Sequence, residues 1–171
     1  MKKLVKNKKP TKLRKYVLCL IDLQTMFDAA TDANLLKHIK REVTAAIRAN
    51  HDIMLVRYSG CGSIVADVQQ MLKGYSNVYQ VYKKWDGGGK EVSKAIIKRY
   101  GKGVHLRVGG VNTNACVQDT VIELADIFST KKEFKRRKIQ VVKKACWTDG
   151  GTTAHKRGIR NMDGLKRVTL V

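Results

Sequence analysis

Residues 104–117 read Val104-His105-Leu106-Arg107-Val108-Gly109-Gly110-Val111-Asn112-Thr113-Asn114-Ala115-Cys116-Val117. Val104 to Val108 predicts a strand. Ala115 to Phe128 predicts a strongly apolar helix. Between them lies a short loop, so Cys116 opens the helix. A helix N-terminus offers unpaired N–H groups and the positive end of a dipole. A cysteine there is expected to have a lowered pKa, and the same N–H groups can stabilise an oxyanion.

The same alternation runs through the chain. Tyr16-Val17-Leu18-Cys19-Leu20-Ile21 is a continuous apolar run, the pattern of a strand buried on both faces. Further strands are expected at 53–56, 78–82, 139–142 and 168–171. Helices are expected at 34–49, 64–73, 91–100 and 153–162. Strands alternating with helices argue for a parallel sheet covered on both sides and built from right-handed crossovers. In such sheets ligands bind beyond the carboxyl ends of the strands. The residues found there are Asp22 and Gln24 after the first strand, Arg57 to Gly62 after the second, and Lys83, Lys84, Trp85 and Asp86 after the third. Asp22, one of the two lysines and Cys116 thus make an acid, a cation and a nucleophile for one site. Neighbouring strand residues point to opposite faces, so only one of Lys83 and Lys84 can face Cys116.

The chain has 171 residues and 43% apolar content, which fits one domain with a real core. Thirty-five Lys and Arg face 14 Asp and Glu, a net charge of +21. Such a charge attracts polyanions but does not specify a fold. Residues 1–15 hold eight basic residues and no acid, and read as a disordered basic arm ahead of a domain at 16–171. Residues 131–144 hold eight more and read as a basic loop leading into a strand. The four cysteines form no CxxC pair, so reduced thiols and a cytoplasmic location are expected. No apolar run reaches membrane-span length.

Two segments resemble the isochorismatase-like cysteine hydrolases. Val17 to Phe27 is similar to that superfamily's first strand, where an apolar run ends in Asp-x-Gln with a Phe nearby. Val108 to Val117 is similar to its Gly-Val-x-Thr-x-x-Cys-Val signature. Ala145-Cys146-Trp147-Thr148-Asp149 followed by His155 resembles a later strand-to-helix stretch. The resemblance implies an α/β, Rossmann-like three-layer sandwich with a six-stranded parallel sheet. It implies a triad of Asp22, Lys83 (Lys84 as the alternative) and Cys116 that hydrolyses a small amide or related acyl compound through a thioester. It further implies a cis peptide at Val111–Asn112, an oxyanion hole from the N–H groups of Asn112 and Cys116, a pocket including Gln24, Phe27 and Trp85, and a homo-oligomer.

Two departures from the family narrow this reading. Nicotinamidases carry an Asp-x-His and a further His after the second strand to bind a metal. Here Arg57-Tyr58-Ser59-Gly60-Cys61-Gly62-Ser63 stands instead, so no metal and no cofactor are expected. Many members carry Tyr-Ser-Ala-Phe after the lysine, whereas this chain has Trp85-Asp86-Gly87-Gly88-Gly89, which reads as a flexible substrate loop and implies a different substrate. The alternative function is binding of nucleic acid or another polyanion by the basic surface, with weak or no catalysis. No recognised nucleic-acid-binding motif accompanies the charge.

Overall fold

A computed structural model describes residues 16–171. The basic arm read at 1–15 lies outside the described residues. Strands and helices alternate as β1 (Tyr16–Ile21), α1 (Ala33–Arg48), β2 (Ile53–Tyr58), α2 (Ala66–Leu72), β3 (Val78–Lys83), α3 (Gly89–Tyr100), β4 (His105–Gly110), α4 (Gln118–Thr130), β5 (Ile139–Cys146), α5 (Gly151–Met162) and β6 (Val168–Leu170). All six strands are parallel, in the order β3-β2-β1-β4-β5-β6.

That order fixes where the helices go. The chain winds outward from β1 to β3, then returns to the far side of β1 with β4 and winds outward again. Right-handed crossovers therefore put the helices of the two halves on opposite faces. Leu35, Ile39 and Val43 of α1 and Val68 of α2 pack on one face with Leu18, Leu20 and Leu55. Val92 and Ile96 of α3, Val121, Leu124 and Phe128 of α4, and Met162 of α5 pack on the other, with Cys19, Ile21, Val56 and Val108. Successive side chains of β1 alternate between the two cores, as the period of two requires, and all six of its residues are buried.

The expected elements are all present, and the differences lie at their ends. β2 and β3 run further than the apolar pattern predicts, to Tyr58 and Lys83, because the polar residues there still pair with the next strand. β5 continues through the exposed Lys143 and Lys144 to Cys146. The helix expected to open at Ala115 instead begins with a π-helical turn, Thr113–Val117, closed by the Val117 N–H donating to the Asn112 carbonyl at 3.0 Å. Cys116 therefore sits inside this wide turn, ahead of α4. Asp32 caps α1, its side chain accepting from the Leu35 N–H at 2.8 Å.

β1 and β4 meet at the topological switch point, with Ile21 opposite Gly110. Gly110 has φ +135°, a conformation that side-chain-bearing residues avoid, and a Cβ there would overlap the Ile21 carbonyl oxygen. Gly110→Ala combines backbone strain with a clash against immovable backbone. It is expected to cost about 3 kcal/mol or more of stability, read as a drop in the urea midpoint at unchanged slope. An unchanged midpoint would mean that the two strands are not so closely pressed.

Candidate active site

Asp22 follows the last residue of β1. Its φ of +51° is uncommon for a residue with a side chain, though least costly for Asp and Asn. Its N–H donates to the Val56 carbonyl at 2.8 Å, and its carbonyl accepts from the Gln24 N–H at 2.7 Å. These bonds hold the carboxylate at the switch point, where it is fully buried.

Lys83 ends β3, two strands away, and reaches Asp22 by lying across β2. Its ammonium sits 4.2 Å from the centre of the Tyr58 ring and 2.8 Å from Asp22 Oδ2. It also donates to the carbonyls of Trp85 and Asp86, each at 3.0 Å. An ammonium has three protons, and these three partners match them. Both side chains of the ion pair are 0% exposed. Lys84 is exposed, as strand alternation requires of its neighbour.

Cys116 is 4% exposed. Its thiol lies within hydrogen-bonding reach of Asp22 and donates to Asp86 Oδ1 at 3.8 Å. The structure thus brings Asp22, Lys83 and Cys116 together. The expected activation of the resting thiol is absent. Burial, then the charge of Asp22 and more weakly that of Asp86, push the Cys116 pKa up to about 12, against the pull of Lys83. Asp22 opposes the thiolate, as its place beside the cysteine implies; the burial and Asp86 are what the helix N-terminus alone does not convey. Burial also raises the Asp22 pKa, opposed by Lys83.

The turn bearing Cys116 is clamped from the β5–α5 loop. The Val111–Asn112 peptide is cis. Asn112 Nδ2 donates to Asp149 Oδ2 at 3.1 Å, and the Asp149 N–H returns a bond to Asn112 Oδ1 at 2.9 Å. The Ala29 N–H donates to Asp149 Oδ1 at 2.5 Å. Thr148 Oγ1 donates to Asn114 Oδ1 at 2.6 Å, and Thr113 Oγ1 and His155 Nδ1 share a hydrogen bond of 2.9 Å. The His155 ring leans on Trp147, 5.2 Å away.

The three residues expected in a substrate pocket stand in different settings. Gln24 is buried and spends its amide on backbone. It donates to the Tyr58 and Gly62 carbonyls at 3.1 and 3.0 Å and accepts from the Tyr58 N–H at 2.7 Å. Phe27 is half-buried against the α1 face. Trp85 is 76% exposed. The glycine run is packed: Gly88 donates to Thr120 Oγ1 at 3.0 Å and Gly89 to Glu123 Oε2 at 2.8 Å. A Cβ on Gly88 would lie 2.8 Å from Lys83 Cδ, so glycine here makes room for the stem of Lys83. Asp86, the clamp through Asp149 and the Thr113–His155 bond had no assigned role in the sequence reading. The position of Asp86 three residues after Lys83 was the available signal.

A cavity of about 340 Å³ opens beside the thiol's turn, lined by Asp32, His38, Lys143, Lys144, Trp147 and His155 among others. It contains none of Asp22, Lys83 and Cys116. Among the described residues no group of three or more His, Cys, Asp or Glu could hold a metal ion, and no helix is long and apolar enough to cross a membrane.

No protein-family model matches the sequence, and no curated protein does. Solved structures do. A ribonuclease from Caenorhabditis elegans superposes with a TM-score of 0.74 at 15% identity, over 92% of this chain and 77% of that one. A nicotinamidase from Staphylococcus aureus gives 0.70 at 15% identity, over 92% and 100%. An isochorismatase family protein from Desulfovibrio vulgaris gives 0.68 at 17% identity, over 91% and 94%. The chain has the isochorismatase-like fold.

The high thiol pKa has a direct readout. Iodoacetamide labelling of Cys116 should rise about tenfold per pH unit from pH 7 to 10, whereas an ordinary thiol levels off above about 8.5. Peptide mapping that finds labelling of Cys116 already level at neutral pH would contradict the resting state described.

Proposed function

We propose that the protein is a cysteine hydrolase that cleaves a small amide or related acyl C–N compound. The observation that carries this reading is the buried Asp22–Lys83 ion pair, 2.8 Å long, beside the Cys116 thiol at the switch point. The shared fold with a nicotinamidase and an isochorismatase family protein supports it.

In the proposed reaction Asp22 takes the thiol proton as Cys116 Sγ attacks the carbonyl carbon. The raised pKa of the Asp22 carboxyl narrows the gap between acceptor and donor, and the pair titrates as a unit. Lys83, its ammonium protons engaged by Asp22 and two carbonyls, acts on the thiolate through space and on Asp22 by contact. The carbonyl oxygen gathers charge beside the N–H groups of Asn112 and Cys116. The C–N bond breaks, and the proton on Asp22 passes to the leaving nitrogen. A thioester and a free amine or ammonia result. Water then attacks the thioester, giving up a proton to Asp22, and that proton returns to the thiolate as the acid leaves.

On a substrate found by screening small amides for released ammonia or amine, Cys116→Ala should abolish turnover. Asp22→Asn and Lys83→Ala should each lower kcat by about a thousandfold or more, given the 10²–10⁴ typical of general acid–base groups and the loss of a buried partner. An acyl adduct on Cys116 should be trapped by rapid acid quench and mass spectrometry. Hydrolysis that survives Cys116→Ala would overturn the reading.

A second reading, polyanion binding, is favoured by where the charge lies. Residues 131–171 hold thirteen Lys and Arg against three acids, while residues 16–130 hold fourteen against eleven. The excess thus belongs to β5, α5 and β6 and their connections, one edge of the sheet. Lys156, Arg157 and Arg160 are exposed on α5. The fold likeness to a ribonuclease makes single-stranded RNA the probe of choice. Replacing these three residues with Gln should weaken RNA binding and reduce the slope of log K against log salt by about 2. An unchanged slope would remove this edge from consideration.

A further inference from the structure

The acid nearest the thiol besides Asp22 is Asp86, and its position is built. Lys83 pins the loop by binding the carbonyls of Trp85 and Asp86 at 3.0 Å each. Gly88 behind it packs on the Lys83 stem and donates to Thr120. The turn so formed brings the Asp86 carboxylate to the thiol, with Oδ1 3.8 Å from Sγ. Asp86 itself is exposed, whereas Cys116 and Asp22 are buried. The carboxylate therefore stands between the nucleophile and solvent.

The charges at contact range do not balance. Asp22 and Asp86 contribute two negative charges, Lys83 one positive, and the resting thiol none. Lys84 and Lys90, the other cations of this loop, are exposed. In a chain of net charge +21 the thiol thus has net negative charge at contact range. Charges beyond about 8 Å are largely screened at physiological salt, so Asp86 decides what is favoured at the thiol. A thiol is a weak donor, and a carboxylate has about four acceptor sites, so Asp86 keeps most of its capacity for a ligand.

We infer that Asp86 is a specificity-determining residue that selects a substrate bearing a cationic group, such as a protonated amine or an amidinium, close to the carbonyl that Cys116 attacks. Such a group makes a charge-assisted hydrogen bond to the carboxylate, while an anionic substituent is repelled. The inference rests on Cys116 being the nucleophile, and the two can fail separately.

The test uses three methanethiosulfonates, aminoethyl (cationic), sulfonatoethyl (anionic) and methyl (neutral), at pH 7.5. In each the Cys116 thiolate displaces methanesulfinate from the reagent's sulfenyl sulfur and forms a mixed disulfide, mapped by mass spectrometry. Rates are divided by those of N-acetylcysteine amide, which removes intrinsic reagent differences. The cationic-to-anionic ratio at Cys116 should exceed that of the free thiol about tenfold or more. Asp86→Asn should lower the ratio about tenfold, a partly solvated contact pair being of that order. Asp86→Glu should retain the preference, and Asp126→Asn, an exposed acid further along α4, should leave the ratio unchanged. If the neutral reagent modifies Cys116 but the charged pair shows no preference, or Asp86→Asn leaves the ratio as it was, Asp86 selects nothing and the nucleophile reading survives. If even the neutral reagent leaves Cys116 untouched in the folded protein, both readings fall.

Discussion

A lysine ammonium and an aspartate carboxylate buried together at 0% exposure make heavy demands on what surrounds them. Removing each ion from water costs several kcal/mol, and their attraction offsets this only when the remaining protons and lone pairs are satisfied. The ammonium meets its half of the condition by recruiting backbone, whereas the Asp22 oxygens, buried without a hydrogen-bond donor, rely on the ion pair itself. The β3–α3 loop must fold back so that two consecutive carbonyls face the ammonium. Tyr58 must lay its ring beneath the charge. Residue 88 must be glycine, because the lysine stem occupies the space of a Cβ. The left-handed turn at Asp22 and the loop bearing Asp86 are thus consequences of one ion pair.

Topology explains why the pair and the thiol meet. The switch point separates β1 from β4, and their following loops diverge toward opposite faces, leaving a crevice. Asp22 and the Val111–Cys116 turn line it directly. Lys83 comes from the edge strand and spans β2 to arrive, which a long side chain on a buried strand end can do. The β5–α5 loop closes the far side through Asp149, which binds both Asn112 and the backbone of Ala29. Four loops are thereby tied to one site by hydrogen bonds that cross the chain.

Strands were legible in the sequence because a parallel strand buried on both faces must be apolar throughout; Tyr16 to Ile21 could hardly be anything else. Their polar ends were not, since Arg57 and Tyr58 pair with β3 through backbone that the side chains do not report. Asp22 and Cys116 followed from strand ends; alternation limited the lysine to one of Lys83 and Lys84, and the family resemblance pointed to Lys83. What stayed illegible depended on tertiary contact. Gly87 to Gly89 read as flexibility, and in the fold the run is a close-packed approach to α4 and to the lysine. Gln24 read as a pocket amide, yet its three hydrogen bonds to backbone hold β1 to the loop after β2. The full height of the thiol's pKa was hidden for the same reason, because burial and the approach of Asp86 have no signature in local spacing.

Those hidden terms alter how the nucleophile must work. A thiol held neutral by burial and two carboxylates is protected from adventitious electrophiles in solution. On the proposed mechanism it would become a nucleophile only when its proton can move to Asp22 as charge develops on a bound carbonyl oxygen. A cationic substrate group beside Asp86 would neutralise one of the two charges that oppose the thiolate, and so lower the cost of that proton transfer at the moment of binding. Recognition and activation would then be one electrostatic event. The same substrate charge that satisfies Asp86 would make Cys116 reactive, so interaction energy would appear preferentially where the reaction needs it.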